Sequence, residues 1–205
     1  MKIICIGRNY KKHAEELCND IPSEPLFFLK PDSAILTRKH AFYIPEWTND
    51  VHHEVELVIK IRKLGKGIQD KFAPRYYSYI GLGIDFTARD IQAELKSQGL
   101  PWEESKCFDG SAVVSSKFIT LKDLGGDVQN LNFQLTKNEK VVQSGCTADM
   151  IFSVDELIVY LSKYMTLKTG DLIFTGTPAG VGQVKTGDLL TGTLEGNHMF
   201  DVRIR

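Results

Sequence analysis

The fold is indicated most clearly by one stretch of the chain, His52-His53-Glu54-Val55-Glu56-Leu57-Val58-Ile59. Polar and aliphatic residues alternate along it, which is the periodicity of a β-strand. Because residues two apart in a strand face the same side, Glu54 and Glu56 project together. Two neighbouring carboxylates in an apolar strand repel each other and lose hydration. Either a hard divalent cation that takes oxygen ligands compensates them, or the strand lies at a sheet edge and its acids face water.

A second stretch, Gly83-Ile84-Asp85-Phe86-Thr87-Ala88-Arg89-Asp90, ends a glycine-spaced apolar run at an acid. The Asp85 carboxylate could complete a cation site with Glu54 and Glu56, since three oxygen ligands leave further positions free for a ligand. Strand alternation also places His52 on the face of the two glutamates. We therefore predict that His52 supports the ligands, and we leave His53 out of the site.

The composition is that of a globular chain. Its 205 residues, 42% of them hydrophobic, fit one catalytic domain over residues 1–205. The 25 basic and 26 acidic residues are interspersed, so we expect no nucleic-acid partner.

No apolar stretch reaches the roughly 20 residues needed to span a bilayer, and the N-terminus enters a strand-like run, so we expect no membrane association and no targeting segment. Four scattered cysteines, Cys5, Cys18, Cys107 and Cys146, fit free thiols in the cytoplasm.

Short strands outnumber helices, and glycine turns join them. This predicts an α+β, mainly β domain whose strands are mainly antiparallel. Strands are predicted at 2–6, 42–45, 53–61 and 79–86, with one between the prolines of 19–31, a hairpin over 132–144 and a β-rich tail. Helices are predicted from a cap at Asn9 to Leu17, over 87–97, and from a capping box at Ser153 and Glu156 to Tyr164. Lys-Thr-Gly-Asp-Leu occurs at 168–172 and again at 185–189, which indicates two similar turns into strands.

His13 and Glu16 lie three residues apart on the first predicted helix, hence on one face. A carboxylate beside an imidazole fixes its tautomer and raises its basicity, as a general base requires. A solvated surface helix would show the same pair. Gly7 and the downstream prolines suggest flexible joints, so this helix could close over a site as a lid.

Three other positions have weaker signals. Lys106 leads into an apolar stretch and could contact an anionic substrate or lie along the surface. Gln92, on the helix after Asp85, is equally ambiguous. Thr177 lies in the glycine-rich segment 175–182, whose N–H and hydroxyl groups could cradle a carboxylate or form a plain tight turn.

Taken together, these segments resemble the fumarylacetoacetate hydrolase family, and most closely its short acylpyruvase and oxaloacetate decarboxylase branch. Besides His13, Glu16 and Lys106, the matching motifs are Gly7-Arg8-Asn9-Tyr10, Ser23-Glu24-Pro25, Phe28-Leu29-Lys30-Pro31, His53-Glu54-Val55-Glu56-Leu57, Asp85-Phe86-Thr87-Ala88-Arg89-Asp90, Gly99-Leu100-Pro101-Trp102, Met150-Ile151-Phe152-Ser153 and Thr175-Gly176-Thr177-Pro178-Ala179-Gly180-Val181-Gly182. The resemblance implies a mixed β-roll with a short N-terminal lid helix, usually in a homodimer.

The resemblance also implies individual roles. These are Mg²⁺ or Mn²⁺ binding by Glu54, Glu56 and Asp85, catalysis by His13, Glu16 and Lys106, and substrate binding by Arg8, Gln92 and Thr177. One departure is Phe108-Asp109-Gly110-Ser111, which has an acid where the family has uncharged residues and so leaves the shape and charge of the distal pocket open.

The function so implied is divalent-metal-dependent cleavage of a C–C bond in a small 2-keto acid. Hydrolysis of an acylpyruvate and decarboxylation of oxaloacetate would both leave a pyruvate enolate. The enzymatic alternative keeps the enolate but moves a proton, as an isomerase or tautomerase of unsaturated keto-dicarboxylates or oxaloacetate does. The non-enzymatic alternative is a carboxylate-lined metal-binding domain, against which the His13–Glu16 pair argues.

Overall fold

A computed structural model describes residues 1–17, 20–37 and 41–205. Within these ranges the strands are β1 (Ile3–Gly7), β2 (Leu26–Lys30), β3 (Val51–His53), β4 (Val55–Ile61), β5 (Tyr77–Asp85), β6 (Thr87–Ala88), β7 (Ala112–Val114), β8 (Ile119–Thr120), β9 (Asn132–Lys137), β10 (Lys140–Cys146), β11 (Leu172–Phe174), β12 (Gly182–Gln183), β13 (Leu189–Leu194) and β14 (Asn197–Arg203). The α-helices are α1 (Lys11–Glu16), α2 (Arg89–Ser97), α3 (Glu103–Lys106) and α4 (Val154–Tyr164). Short 3₁₀ segments cover Asp32–Ala34, Asp70–Arg75 and Thr147–Asp149.

The strands form three sheets. The largest has the order β2-β1-β11-β4-β5-β7, with β8 also paired to β5, and the two others have the orders β10-β9-β13-β14 and β12-β3-β6. The pairing of β1 with β11 is parallel, whereas the other pairings between named strands are antiparallel. The predicted mainly β, mainly antiparallel class is confirmed.

Strand β4 lies at the centre of the largest sheet, between β11 and β5. Six of its seven residues are buried, and Lys60 alone is exposed. Buried aliphatic residues of β4 and β5 join the main hydrophobic core with Phe133 of β9 and Ile158 of α4. The acidic Glu56 thus lies in a strand covered on both faces, which excludes the edge-strand reading of its alternation.

The local signals for the hairpin and for α4 are confirmed. Strands β9 and β10 are joined through Asn138 and Glu139, both at positive φ (51° and 68°), as a two-residue hairpin turn requires. Helix α4 begins with the complete capping box of Ser153 and Glu156 and ends at Tyr164.

The repeated Lys-Thr-Gly-Asp-Leu sequence forms the same turn twice. In each copy the Asp carboxylate accepts the Lys N–H at 2.8 Å, and the Asp N–H donates to the Lys carbonyl at 3.0 Å. Gly170 and Gly187 both have a φ near +95° (91° and 100°), a conformation that favours glycine. The prediction of two similar turns is confirmed.

Several predicted boundaries are wrong. Residues 42–45 form no strand; Phe42 makes only an isolated bridge to Ile204, and Tyr43 is exposed. The strand predicted over 53–61 is interrupted at Glu54, which separates β3 from β4. The helix predicted from residue 87 begins at Arg89, because the preceding Thr87–Ala88 pairs with β3 as β6.

The cap predicted at Asn9 is also wrong. The N-cap of α1 is Tyr10, and the Asn9 side chain is used elsewhere. Cys5, Cys107 and Cys146 are free, whereas Cys18 lies outside the described residues. No helix in the described ranges is long and apolar enough to cross a membrane.

Candidate active site

Three carboxylates meet where β4 pairs with β5, next to the break between β3 and β4. Glu54 occupies the break between β3 and β4, Glu56 follows in β4, and Asp85 ends β5. The backbone N–H of Asp85 donates to the Glu54 carbonyl at 2.8 Å, which holds the two strand ends together. One oxygen from each of the three buried carboxylates lies within 4.8 Å of the other two. The structure therefore brings together the three residues predicted as metal ligands.

The charges of this cluster are unevenly compensated. Burial, followed by the neighbouring Asp85 and Glu54 carboxylates, raises the pKa of Glu56 well above its usual range, although the Gly176 N–H donates to it at 2.7 Å. Burial also opposes ionisation of Glu54, but Lys106 and Arg89 together hold its pKa below the usual range. Three hard oxygen donors, one of them short of positive charge, fit a divalent metal ion. The triad could bind such an ion.

Lys106 is predicted to act on the substrate, and the structure places its ammonium group against the carboxylates. Its Nζ lies 2.7 Å from Glu54 Oε2, 2.7 Å from Asp85 Oδ2 and 2.6 Å from Thr87 Oγ1. Burial opposes its charge, but the adjacent Asp85 and Glu54 carboxylates prevail and raise its pKa above the usual range. The raised pKa favours the charged ammonium group, which also fixes the orientation of two candidate ligands.

Lys30 is a second buried cation at the cluster, and the sequence reading missed it. Its Nζ lies 2.7 Å from Asp85 Oδ1 and donates to Ser111 Oγ at 2.8 Å. Alternation along β2 places Lys30 on the same face as Phe28, which lines the site. That spacing is the signal that could have found it.

Arg89 is another site residue that the sequence analysis did not identify. Its guanidinium group pairs with Glu54 and donates to Gln92 Oε1 at 2.6 Å. The three-residue spacing of Arg89 and Gln92 on α2 could have indicated this contact. Gln92, predicted to bind substrate, is buried and holds the arginine that neutralises Glu54.

Helix α1 closes one side of the site and carries the predicted catalytic pair. His13 Nδ1 lies 3.2 Å from Glu16 Oε2, and the Glu16 carboxylate also accepts the Gly180 N–H at 3.0 Å. Burial lowers the pKa of His13 below its ordinary value of 6.5, outweighing the opposite effects of Glu54 and Glu16. The predicted effect of Glu16, which raises the pKa of the imidazole, is present, but burial outweighs it. The lowered pKa favours the neutral imidazole at pH 7.

The start of α1 is fixed by Asn9. Its side chain donates to the Phe152 and Thr175 carbonyls at 3.0 and 2.8 Å and accepts the Phe152 N–H at 2.8 Å. Arg8, just before it, has φ +57° and lines the site. The left-handed turn at Arg8 costs energy for a non-glycine residue, and the buried Asn9 bonds hold it.

Thr177 lines the site, but its hydroxyl group is engaged within the protein. It donates to the Val55 carbonyl at 2.9 Å and accepts a hydrogen bond from Gln143 Nε2 at 2.8 Å. A hydroxyl group has one proton to donate. While the Val55 bond persists, the side chain cannot also donate to a substrate carboxylate.

These groups surround a cavity of about 30 Å³, room for roughly one water molecule. Its cationic wall consists of Arg8, Arg89, Lys96 and Lys106. Burial, with Arg8 and Arg89 nearby, lowers the pKa of Lys96 to about 8. Asp109, the acid expected to affect the distal pocket, lines a separate cavity beside Tyr43. The cationic wall favours an anionic ligand.

The expected supporting role of His52 differs from its observed contact. His52 Nε2 pairs with Asp50 Oδ1 at 3.0 Å, whereas His53, left out of the prediction, is buried and pairs with Gln143 at 2.9 Å. The interruption of the strand at Glu54 is the reason, because simple alternation does not continue through it.

Comparison with known proteins gives consistent results. Residues 2–203 match the model of the family described as fumarylacetoacetate (FAA) hydrolase C-terminal. The chain is 40% identical to oxaloacetate tautomerase YcgM of Escherichia coli, covering 99% of this chain and 92% of that protein. It is 46% identical to the mitochondrial oxaloacetate decarboxylase of Dictyostelium discoideum, covering 100% and 94%. The crystal structure of fumarylpyruvate hydrolase from Pseudomonas aeruginosa with Mn²⁺ and pyruvate has a TM-score of 0.92 and 34% identity, covering 100% and 89%.

Proposed function

Since the chain belongs to the fumarylacetoacetate hydrolase family, whose members process keto acids, we propose that it is a divalent-metal-dependent enzyme acting on oxaloacetate through its enolate. The observation that carries this proposal is the convergence of three buried carboxylates opposite the neutral His13 across one small cavity. We assign Glu54, Glu56 and Asp85 as ligands of Mg²⁺ or Mn²⁺. A bound divalent ion supplies Lewis-acid stabilisation of the negative charge that develops on the 2-keto oxygen.

The chain's own residues supply orientation and proton transfer. Lys106 holds the Glu54 and Asp85 oxygens in place through its ammonium group and adds positive charge beside the enolate. Arg8, Arg89 and Lys96 attract a dicarboxylate into the cavity. Movement of α1 admits the substrate, and its return excludes water.

His13 moves the proton. Because a carboxylate only accepts hydrogen bonds, the contact with Glu16 assigns the ring proton to Nδ1. The other nitrogen, Nε2, is then the basic atom that can take a proton from C3 of oxaloacetate, which leaves the enolate, and deliver that proton to the enolate oxygen, which gives the enol. The reverse sequence converts the enol to the keto form. Tautomerisation therefore uses this base as well as the assigned metal ligands. Decarboxylation of the same bound substrate needs no base.

Acylpyruvate hydrolysis is the second candidate. It is favoured by the same imidazole, whose neutral Nε2 could deprotonate a water molecule that attacks the distal carbonyl. The resemblance of the fold to a fumarylpyruvate hydrolase supports this alternative.

The three reactions separate in one experiment. Oxaloacetate, acetylpyruvate and fumarylpyruvate are supplied with Mg²⁺, and the decay of enol absorbance is followed in parallel with pyruvate release. We expect enol decay of oxaloacetate to exceed pyruvate release and to stop in chelator. Full activity in chelator would contradict the metal-dependent proposal, and faster pyruvate release would favour C–C cleavage.

The remaining expectations stay predictions: one catalytic domain over residues 1–205, a homodimer and a cytoplasmic location. The decarboxylase of Dictyostelium discoideum is a mitochondrial protein.

A further inference from the structure

Gln143 is a buried polar residue behind the carboxylate cluster. It lies on β10, next to the point where the pairing of β10 with β9 shifts register, and its side chain is 1% exposed. Burying an amide is costly unless its hydrogen bonds are made. The partners of this amide therefore indicate what it does.

Both ends of the Gln143 amide are fully used. Its Oε1 accepts the Val55 N–H at 3.0 Å and lies 2.9 Å from His53 Nδ1. Its Nε2 donates to Thr177 Oγ1 at 2.8 Å and to the Pro178 carbonyl at 3.0 Å. Carbonyl oxygens only accept, so the bond to Pro178 fixes the orientation of the amide and, with it, the His53 tautomer that carries its proton on Nδ1.

These bonds form a closed ring around Val55. The Val55 N–H donates to Gln143, Gln143 donates to Thr177, and the Thr177 hydroxyl donates to the Val55 carbonyl at 2.9 Å. Val55 stands between the candidate ligands Glu54 and Glu56 in the sequence. The pairing of β4 with β11 ends at Val58, before it reaches Val55. The N–H and C=O groups of Val55 are therefore bonded by the side chains of Gln143 and Thr177 instead of by β11.

The same amide holds the glycine-rich turn that contacts the site twice. Gly176, one residue before Thr177, donates its N–H to Glu56 at 2.7 Å. Gly180, two residues after Pro178, donates its N–H to Glu16 on α1. At φ +101°, Gly180 lies so close to the Val142 carbonyl that a Cβ would clash with it. Residues 142–143 of β10 therefore support the turn along its length.

We propose that Gln143 is a positioning residue of the metal centre: it fixes the distance between the strand that carries Glu54 and Glu56 and the turn that carries Gly176. This inference rests on the proposed function, since it assumes that the carboxylates bind a metal. Loss of supporting groups around metal ligands typically weakens metal affinity by about 10- to 100-fold.

The test is a titration of the purified protein with Mn²⁺, followed by the electron paramagnetic resonance signal of free Mn²⁺. In Gln143→Met the apparent Kd should rise about 10- to 100-fold. The matched control is Gln134→Met, the same exchange at an exposed position of the neighbouring strand β9, which should bind Mn²⁺ like the wild type.

A second variant covers the case in which Gln143→Met does not fold. Gln143→Glu keeps the acceptor for Val55 and His53 but loses both donors, so its carboxylate repels the Thr177 and Pro178 oxygens; it should also bind Mn²⁺ at least about tenfold more weakly. At saturating Mn²⁺ the kcat of a folded variant should recover toward that of the wild type, a split that a general loss of structure would not produce.

The outcomes separate the two proposals. If the wild type itself binds no Mn²⁺, the metal-dependent function fails. If the wild type binds Mn²⁺ and both Gln143 variants bind it equally well, even with lower melting temperatures, Gln143 is a structural residue only and the inference is overturned.

Discussion

Helices α1 and α4 are fixed by different kinds of contacts. Helix α4 begins with Ser153 and Glu156, three residues apart, which cap each other's backbone, and it buries one apolar face. Helix α1 has six residues and no side-chain cap. It is held through Asn9, which bonds to Phe152 and Thr175, and through Glu16, which accepts the N–H of Gly180.

The difference matters for function. A helix that has its own capping box and a buried apolar face depends less on a few hydrogen bonds to distant residues. A short helix held by distant partners can leave and return when those few contacts break, and we expect α1 to do so when a substrate enters. Changes around α1 and the carboxylates should therefore affect activity far more than stability, whereas changes in α4 should leave activity unaffected.

The largest expected effect is at the carboxylates. Glu54→Gln and Asp85→Asn should each lower kcat by at least about 10³-fold, since several kcal/mol of transition-state stabilisation depend on the bound ion. Steady-state kinetics with oxaloacetate and Mg²⁺ measures this. The exposed Glu94→Gln on α2 is the matched control and should retain full activity. Undiminished turnover in either site variant would rule out the assigned ligands.

A smaller effect is expected from a matched pair on the two helices. Glu16→Gln removes the charge that orients His13 and should lower kcat/KM by about 10²-fold, the lower end of general-base contributions. Glu156→Gln should change neither activity nor stability appreciably, because a capping box accepts glutamine as readily as glutamate. Equal losses in the two variants would remove the distinction between the helices.

The smallest effect is expected from pH. His13 must be neutral to accept a proton, so kcat/KM should rise as the pH passes upward through its pKa, which burial places below 6.5. Lys96 is cationic below about 8 and neutral above it, so KM for a dicarboxylate should increase as the pH exceeds about 8. Initial rates from pH 5 to 9.5 give both limbs. Lys96→Met should abolish the alkaline change in KM; its persistence would assign that limb to another group.

Prediction from sequence succeeded where one stretch of chain contains the whole signal. The two-residue spacing of Glu54 and Glu56, the hairpin turn and the α4 capping box depend on neighbours within a few residues. Prediction failed where contacts with a distant segment outweigh the local preference of the residues. Residues 42–45 have strand-like composition but make only one bridge, and Asn9, a good N-cap by type, bonds instead to residues more than 140 positions away.

The same division runs through the candidate site. Its carboxylates and the His13–Glu16 pair are recognisable as motifs, whereas Lys30, Arg89 and Gln143 are defined by what they meet. Lys30 is an ordinary strand residue until β2 lies where its ammonium group reaches Asp85. Gln143 has no distinguishing feature within its hairpin, and only the folded structure shows that its amide donates to Thr177 and Pro178 of the glycine-rich turn.

The two Lys-Thr-Gly-Asp-Leu turns show most simply what the local sequence determines and what tertiary packing determines. Five residues suffice to define their conformation, because the hydrogen bonds of the Asp carboxylate and the positive φ of the glycine both lie within the turn. They do not define the surroundings: Asp171 is buried and pairs with Lys2 at the other end of the chain, whereas Asp188 accepts a hydrogen bond from Asn138 near the surface. Hydrogen bonds within a turn depend on local geometry alone, but burial and charge pairing depend on which distant segment packs against it.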